Sequence, residues 1–347
     1  MPLFTRHPLA LQTAYSDLKR RAEEQRELLV GTPGSVGVRE VSGRSFYYRQ
    51  YYDAVGKKGA EYLGAVGSEA GEARAEAARQ AIAASQELVK EGRMLGQSGY
   101  VRVDARTGAI LGAVANRGLF RAGALLVGSH AYGALLNDLG VRAAAFATED
   151  VDIARGTRLD LELPEGIGFE AILGESTVPL LPVPGLDRKA PTTSYKIAGR
   201  DRLRVDLLTP TGGDEVAIRH VPELRAYAQA MPHLRPLLDR PIDGVVIGRE
   251  GVVPVKLPRA EALAWHKVRL SLMRGPSSDK RNKDVAQAAV LLAVLAEDAA
   301  DTVRSGLEEL PRGMRGATRR AAERVLTVLR AEGHHRAEEI VRGALGR

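Results

Sequence analysis

The segment Asp150-Val151-Asp152-Ile153 places two carboxylates two residues apart, alternating with apolar side chains. In a β-strand, residues i and i+2 point to the same face, so the two carboxylates would project together while Val151 and Ile153 enter a core. Like charges side by side on a strand repel each other, and a divalent cation removes that cost. Oxygen-rich sites favour Mg²⁺ or Mn²⁺. The segment predicts a metal site, although two solvated acids on an edge strand would give the same pattern.

A third carboxylate, Asp206, interrupts the apolar run at 205–208. Because an unpaired buried carboxylate is costly, we expect a compensating charge next to it. A metal ion shared with the Asp-x-Asp pair would supply that charge. An ion pair with Arg202 or Arg204 would supply it equally well, so both interpretations stay open at this point.

A glycine-serine turn, Gly128-Ser129, follows the short apolar segment 124–127 and precedes a helical pattern at 130–139. Ser129 stands where a helix N-cap is expected. Free backbone N–H groups at the start of a helix bind anions, and a glycine allows a phosphate to approach the backbone closely. The turn therefore predicts a phosphate site, and a plain strand-turn-helix with a serine cap is the simpler alternative.

The elements that must position these residues divide the chain into three predicted parts: 1–113, 114–257 and 258–347. The first part contains predicted helices at 9–29 and 68–93 and predicted strands at 36–41, 45–52 and 60–63. The second alternates short strands with helices, which is typical of an α+β catalytic domain with a mixed sheet. The third is helical to its end, with predicted helices at 260–273, 280–300, 303–310, 315–330 and 335–345.

Composition limits the classes of function. The 347 residues contain no cysteine, which excludes disulfides and thiolate zinc sites, and carry a net charge of +7. The positive charge favours a polyanionic partner such as a nucleotide or RNA. We expect a cytoplasmic protein without a signal peptide or membrane span, since the longest apolar stretch is far shorter than a bilayer requires.

Tyrosines and cations are concentrated in one hairpin, with Tyr47, Tyr48, Tyr51 and Tyr52 close to Arg44, Arg49, Lys57 and Lys58. Such a cluster could stack on the bases of an RNA acceptor. Cross-strand packing of the rings within the hairpin explains the same residues, and it is the favoured interpretation.

The order of these motifs carries more information than any of them alone. A strand, Gly-Ser, a helix, Asp-x-Asp on the next strand and a lone Asp on a later strand is the arrangement of polymerase-β-like nucleotidyltransferases. The chain resembles a bacterial family of nucleotidyltransferase-fold proteins in this superfamily, for which no substrate is agreed. The resemblance covers roughly 44–296, through the segments 46–52, 62–64, 118–120, 126–131, 149–153, 204–210, 265–267 and 283–288.

The resemblance implies transfer of a nucleoside monophosphate from a nucleoside triphosphate to an acceptor hydroxyl, with release of pyrophosphate. In that reaction Asp150, Asp152 and Asp206 are the catalytic and metal-binding residues, and Asp206 helps to deprotonate the acceptor. Gly128 and Ser129 would bind the β- and γ-phosphates. The cations Lys267 and Lys283 would neutralise the triphosphate, or would simply lie on solvated helix faces.

RNA or a protein side chain is the favoured acceptor, because a small acceptor would not need the long basic segments at both ends of the chain. The alternative is a non-catalytic nucleotide- or RNA-binding protein of a toxin–antitoxin or defence system. A degenerate binder would usually have lost one acid of the triad, and none is lost here. The sequence does not determine the oligomeric state.

Overall fold

The computed structural model describes residues 2–25, 27–144, 148–156, 158–184, 190–212, 215–275 and 278–346. Its strands are β1 (Phe4–Arg6), β2 (Ser35–Val41), β3 (Arg44–Tyr52), β4 (Lys58–Ala65), β5 (Ala124–Val127), β6 (Val141–Ala143), β7 (Asp150–Arg155), β8 (Leu180–Pro182), β9 (Ser194–Ile197), β10 (Arg204–Pro210), β11 (Ala217–Val221), β12 (Ala226–Met231), β13 (Ile242–Ile247) and β14 (Val252–Leu257). Its helices are α1 (Leu9–Glu23), α2 (Glu69–Gln97), α3 (Ala105–Asn116), α4 (Gly128–Asp138), α5 (Phe169–Gly174), α6 (Arg235–Leu238), α7 (Ala260–Met273), α8 (Asp279–Asp298), α9 (Ala300–Glu308), α10 (Arg312–Ala331) and α11 (His335–Leu345).

The central sheet has the strand order β11-β12-β10-β7-β5, and β9, which carries β8, pairs with the first half of β10. Strands β7, β10 and β12 are mutually parallel, whereas β5, β9 and β11 run antiparallel to their neighbours. A mixed sheet with helices confirms the predicted α+β class. That this sheet is a polymerase-β-like core stays a prediction.

Alternation along β7 and β10 fixes which face of the sheet carries polar groups. Val151 and Ile153 of β7, and Val205 and Leu207 of β10, are almost completely buried. The residues between them therefore turn to the opposite face. Because the two strands are parallel and in register, their polar residues form rows across the sheet.

Helix α3 was not predicted, and the predicted boundary at residue 113 lies inside it. Its sequence is rich in Gly and Ala, which gives a weak helical pattern. The Asp104 side chain caps it by accepting from the N–H groups of Arg106 and Thr107. Gly108 lies against the backbone of Gly248, in a contact that a methyl side chain would also fit. The helix thus packs against the β13–β14 hairpin and joins regions that the sequence assigned to different parts.

One hydrophobic cluster includes residues from all three predicted parts, such as Phe4, Leu126 and Trp265. Trp265 of α7 is fully buried and its Nε1 donates to the Val303 carbonyl at 2.9 Å, which ties α7 to α9. The predicted bounds of α7 and α11 agree with the structure. The division into three domains stays a prediction.

The first helix ends at Glu23, several residues before the predicted end at Leu29. The backbone N–H and carbonyl of Leu28 instead bond to the amide side chain of Asn116 on α3, at 2.8 and 2.9 Å. A tertiary contact therefore replaces the helical hydrogen bonds that the local sequence favours.

Candidate functional site

The three predicted acids lie side by side on the polar face of the central sheet. In the parallel β7–β10 pair, Asp206 is directly opposite Asp152, and Arg204 is directly opposite Asp150. All four side chains line one cleft, together with the Gly128-Ser129 turn. The strand register thus brings together residues that are distant in sequence, as the alternation argument requires.

Two neighbouring side chains, Arg204 and Ser194, donate hydrogen bonds to Asp206. Arg204 Nε donates to Oδ1 of Asp206 at 2.7 Å, and the Ser194 hydroxyl on β9 donates to the same oxygen. Arg204 Nη2 also donates to the Ser194 hydroxyl at 2.7 Å. The ion-pair interpretation of Asp206 is therefore realised. Its other oxygen, Oδ2, has no hydrogen-bond partner among the described residues.

Asp152 has a pKa well above the usual value of an aspartate. Burial, followed by the charges of Asp206 and Asp150, raises its pKa to about 7. The carboxylate sits beside Val127, its register partner at the end of β5. A buried acid with an elevated pKa and acidic neighbours is typical of a site that expects a positive charge.

Gly128 cannot be replaced by another residue without strain. Its φ is +71°, and a Cβ built there would overlap Oδ2 of Asp152. Helix α4 begins at Gly128 with Val127 as its N-cap and without any side-chain cap, so the prediction that Ser129 is the N-cap is wrong. The absence of a side-chain cap leaves the first N–H groups of α4 for another acceptor. Ser129 itself lines the cleft.

The wall opposite the acids comes from α7 and α8. Lys267 of α7 is buried and its Nζ lies 3.0 Å from Oδ1 of Asp284 on α8. Arg274 Nε contacts the other oxygen of Asp284 at 2.6 Å. The sequence treated Lys267 as a phosphate ligand, and the structure gives it a carboxylate partner that the sequence did not predict. Its role toward phosphate remains a prediction.

Lys283 and Lys280 are the cations of α8 that face the acids. Burial, followed by the charge of Lys267, lowers the pKa of Lys283, which has no carboxylate within ion-pair distance among the described residues. Lys280 Nζ lies 4.0 Å from Oδ2 of Asp150. The sequence did not single out Lys280, although it lies one turn before Lys283 in the basic start of α8. An i, i+3 spacing on one helix face was the signal available for finding it.

His266 also lines the cleft and was named only as part of a motif. Burial, followed by the charge of Lys267, lowers its pKa to about 4. A pKa this low keeps the imidazole uncharged at neutral pH, so His266 adds no positive charge to the cleft.

The donor set suits a hard divalent cation. Three carboxylates on neighbouring strands supply the oxygen ligands that Mg²⁺ and Mn²⁺ prefer. Within the described residues, no three acidic or histidine side chains already stand at metal-ligand spacing.

The cleft between the acid-bearing sheet and the α7–α8 wall has a volume of about 450 Å³, within the roughly 300–1,000 Å³ of a usual small-molecule pocket. Acids on one side and cations on the other suit a ligand that is itself a polyanion bound with a cation.

Comparison with known proteins gives one match. A family model described as nucleotidyltransferase matches residues 105–310, which is more than half of the chain and contains every residue of the cleft described above. No curated protein and no solved structure matches the chain. Within the described residues, no helix combines the length and apolar character that crossing a bilayer requires.

Proposed function

The chain belongs to the nucleotidyltransferase family and is an enzyme of that kind, and from this premise we propose its reaction and its site. The enzyme transfers a nucleoside monophosphate from a nucleoside triphosphate to an acceptor hydroxyl and releases pyrophosphate, with Mg²⁺ or Mn²⁺. The observation that carries the proposal is the register that sets Asp206 opposite Asp152, with Asp150 two residues away on the same face.

Asp150, Asp152 and Asp206 would hold the divalent ions. Bound there, such ions stabilise the charge that develops at the transferred phosphorus and lower the pKa of the acceptor hydroxyl. Asp206 Oδ2 accepts the acceptor's proton, because Oδ1 is already engaged by Arg204 and Ser194. Arg204 and Ser194 thereby orient the carboxylate so that its second oxygen faces the cleft.

The triphosphate tail is bound by backbone and cations. The uncapped start of α4 at Gly128-Ser129 offers N–H groups to the β- and γ-phosphates. Lys283 and Lys280 approach from α8 and neutralise the remaining charge. Lys267 supports these two lysines indirectly, because its ion pair with Asp284 holds the start of α8 against α7. The central sheet that carries this arrangement is, in this proposal, a polymerase-β-like core.

The acceptor is RNA or a protein side chain. The net charge of +7 favours a polyanionic or extended partner over a small neutral one.

The test is label transfer by the full-length protein. Each α-labelled triphosphate is incubated with Mg²⁺ and either total RNA or total protein. We expect one acceptor class to become labelled and the label to be lost in the double variant Asp150→Asn, Asp152→Asn. Glu149→Gln is the matched control, since Glu149 is exposed and precedes Asp150 without lining the cleft.

Transfer that survives in the double variant would contradict the assignment of the acids. If a triphosphate raises the melting temperature of the wild-type protein and no acceptor is labelled, the result favours the non-catalytic binding role over the proposed reaction.

A further inference from the structure

The three-stranded sheet β2-β3-β4 is covered by a helix on one face only. Helix α2 packs along all three strands, and the Tyr47 hydroxyl bonds to Glu72 of that helix at 3.1 Å. Arg49 points to the same face, where it is buried and donates to the carbonyls of Val30, Thr32 and Pro33. Alternation along each strand turns the intervening residues away from α2.

We call the uncovered side the outer face. It comprises Ser35, Gly37, Arg39 and Val41 of β2, Arg44, Phe46, Tyr48, Gln50 and Tyr52 of β3, and Lys58, Ala60 and Tyr62 of β4. Contacts between side chains confirm this grouping. The rings of Phe46 and Tyr48 lie 5.8 and 5.6 Å from that of Tyr62, and the Arg39 guanidinium lies 5.3 Å from the Tyr48 ring centre.

Two aromatic rings of the outer face are exposed. Tyr62 is 53% exposed and Tyr52 is 48% exposed, values that are high for side chains of this size. Tyr48 between them is half-buried, with the Arg39 guanidinium over its ring and Tyr62 at its edge. Packing explains Tyr47 and Tyr51, which face α2 and Arg49, but it leaves Tyr52 and Tyr62 with free ring surface.

Charge on the outer face has a single sign. Arg39, Arg44 and Lys58 are exposed, and none of the outer-face residues, all of which the structure describes, carries a carboxylate. The nearby acids alternate to the other side: Glu61 lies beside the buried Arg49, at 3.2 Å. Open rings interleaved with unopposed cations fit a chain of bases joined by phosphates.

We propose that the outer face binds single-stranded polynucleotide. Unpaired bases stack on Tyr48, Tyr62 and Tyr52, and phosphates contact Arg39, Arg44 and Lys58. A duplex would offer only its phosphates, because paired bases do not present their faces to the rings. This surface lies outside the residues matched by the family model, and the inference stands independently of the transfer reaction.

Binding is measured with the full-length protein by fluorescence anisotropy. The probes are a labelled uridine RNA of about 12 nucleotides, within the usual ~4–16 nucleotide range of such sites, a thymidine DNA of the same length, and a matched duplex. EDTA is present throughout, so a failure of metal-dependent catalysis cannot affect the result. We expect both single strands to bind more tightly than the duplex.

The aromatic part of the proposal is tested with Tyr48→Leu plus Tyr62→Leu. Leucine keeps apolar bulk on the strands and removes the stacking surface. We expect the dissociation constant to rise by about 10-fold or more. The control is Tyr227→Leu, which removes a tyrosine that is 39% exposed on β12, far in sequence from the hairpin. Circular dichroism of each variant verifies that the fold is retained.

The cationic part is tested by salt dependence. Removing Arg39 and Arg44 as alanine variants should reduce the slope of log affinity against log salt by about 1.4, or ~0.7 for each phosphate contact on a single strand. Arg319→Ala plus Arg320→Ala, two exposed arginines of α10, is the matched control. Equal loss in the control variants, preference for the duplex, or no binding by the wild-type protein would each overturn the proposal.

Discussion

The two walls of the candidate cleft, an acidic wall on β7 and β10 and a cationic wall on α7 and α8, treat their carboxylates differently. On the cationic wall, Asp284 is buried between Lys267 and Arg274, and both of its oxygens have a cationic partner. On the acidic wall, burial and the neighbouring charges of Asp206 and Asp150 raise the pKa of Asp152 to about 7. We infer that an acid with its own cationic partners stabilises the fold, and that an acid among like charges suits a ligand that brings positive charge.

The largest expected effect lies on the acidic wall. Asp152→Asn and Asp206→Asn should each lower the rate of label transfer by about 10³-fold or more, because metal-based charge stabilisation is worth several kcal/mol. Asp152→Asn should leave the melting temperature unchanged or raise it, since it removes a repelled carboxylate. Transfer rates and scanning calorimetry measure the two effects. If these variants lost stability as well as activity, the acids would stabilise the fold, and the proposed difference between the two walls would be wrong.

On the cationic wall the expected loss is in stability. Asp284→Asn leaves Lys267 and Arg274 without their shared partner and should lower the free energy of unfolding by about 3–5 kcal/mol. Denaturant unfolding gives the measurement. Asp279→Asn, an exposed acid at the start of the same helix, is the control and should cost less than about 1 kcal/mol. Equal small effects in both variants would show that the buried pair contributes little.

At the junction of strand and helix, Gly128→Ala should have an intermediate effect. A positive φ in a non-glycine residue and the overlap with Asp152 together should cost about 1–3 kcal/mol of stability, and the KM for the triphosphate should rise. Gly174→Ala serves as the control, because a Cβ there meets open space. Unfolding curves and initial rates test the pair, and an unchanged KM would argue against phosphate binding at the turn.

The smallest effect, taken over a single pH unit, is a pH dependence of the metal-free protein. Asp152 keeps its proton in the native state up to about pH 7, while the unfolded chain releases it near pH 3.8. The native state therefore binds more protons between these values, and the contribution to stability falls as pH rises, by at most about 1.4 kcal/mol per pH unit.

Two histidines act in the opposite direction over part of that range. Burial lowers the pKa of His130 and His266 to about 4, so their contribution to stability falls as pH drops below 6.5. The informative quantity is thus the difference between wild-type protein and Asp152→Asn at each pH. We expect the difference in unfolding free energy to grow from pH 4 to pH 7, and a flat difference would contradict the raised pKa.

Local periodicity was sufficient to predict the acidic wall. The two-residue alternation around Asp150 and Asp152, and the apolar run around Asp206, already determine which face those residues occupy once strands form. Arg204 was foreseen as an alternative partner because it lies two residues before Asp206 on the same face. The sequence therefore predicted the three acids and the ion pair. It offered the metal site and the ion pair as alternatives for Asp206, and did not predict that Asp206 could take part in both.

Contacts between distant elements could not be predicted in this way. The bond between Lys267 and Asp284 depends on how α7 and α8 pack, and no pattern within either helix reveals it. Helix α3 gave little helical signal because Gly108 and Gly112 lower the helix propensity of its short segment, and its contacts lie with distant elements such as β14. The early end of α1 at Glu23 depends on Asn116, which lies in a different helix. In each case tertiary packing overrides local preference.

The pairing of β5, β7 and β10 has a consequence for how activity is acquired during folding. Val127, Asp152 and Asp206 are direct neighbours across three strands, so the hydrogen-bond ladder that builds the sheet also sets the spacing of the acids. Slippage of any one strand by a single residue would turn its side chains to the other side of the sheet. A chain in which one of these strands is mispaired would therefore not set Asp152 beside Asp206 on the same face of the sheet.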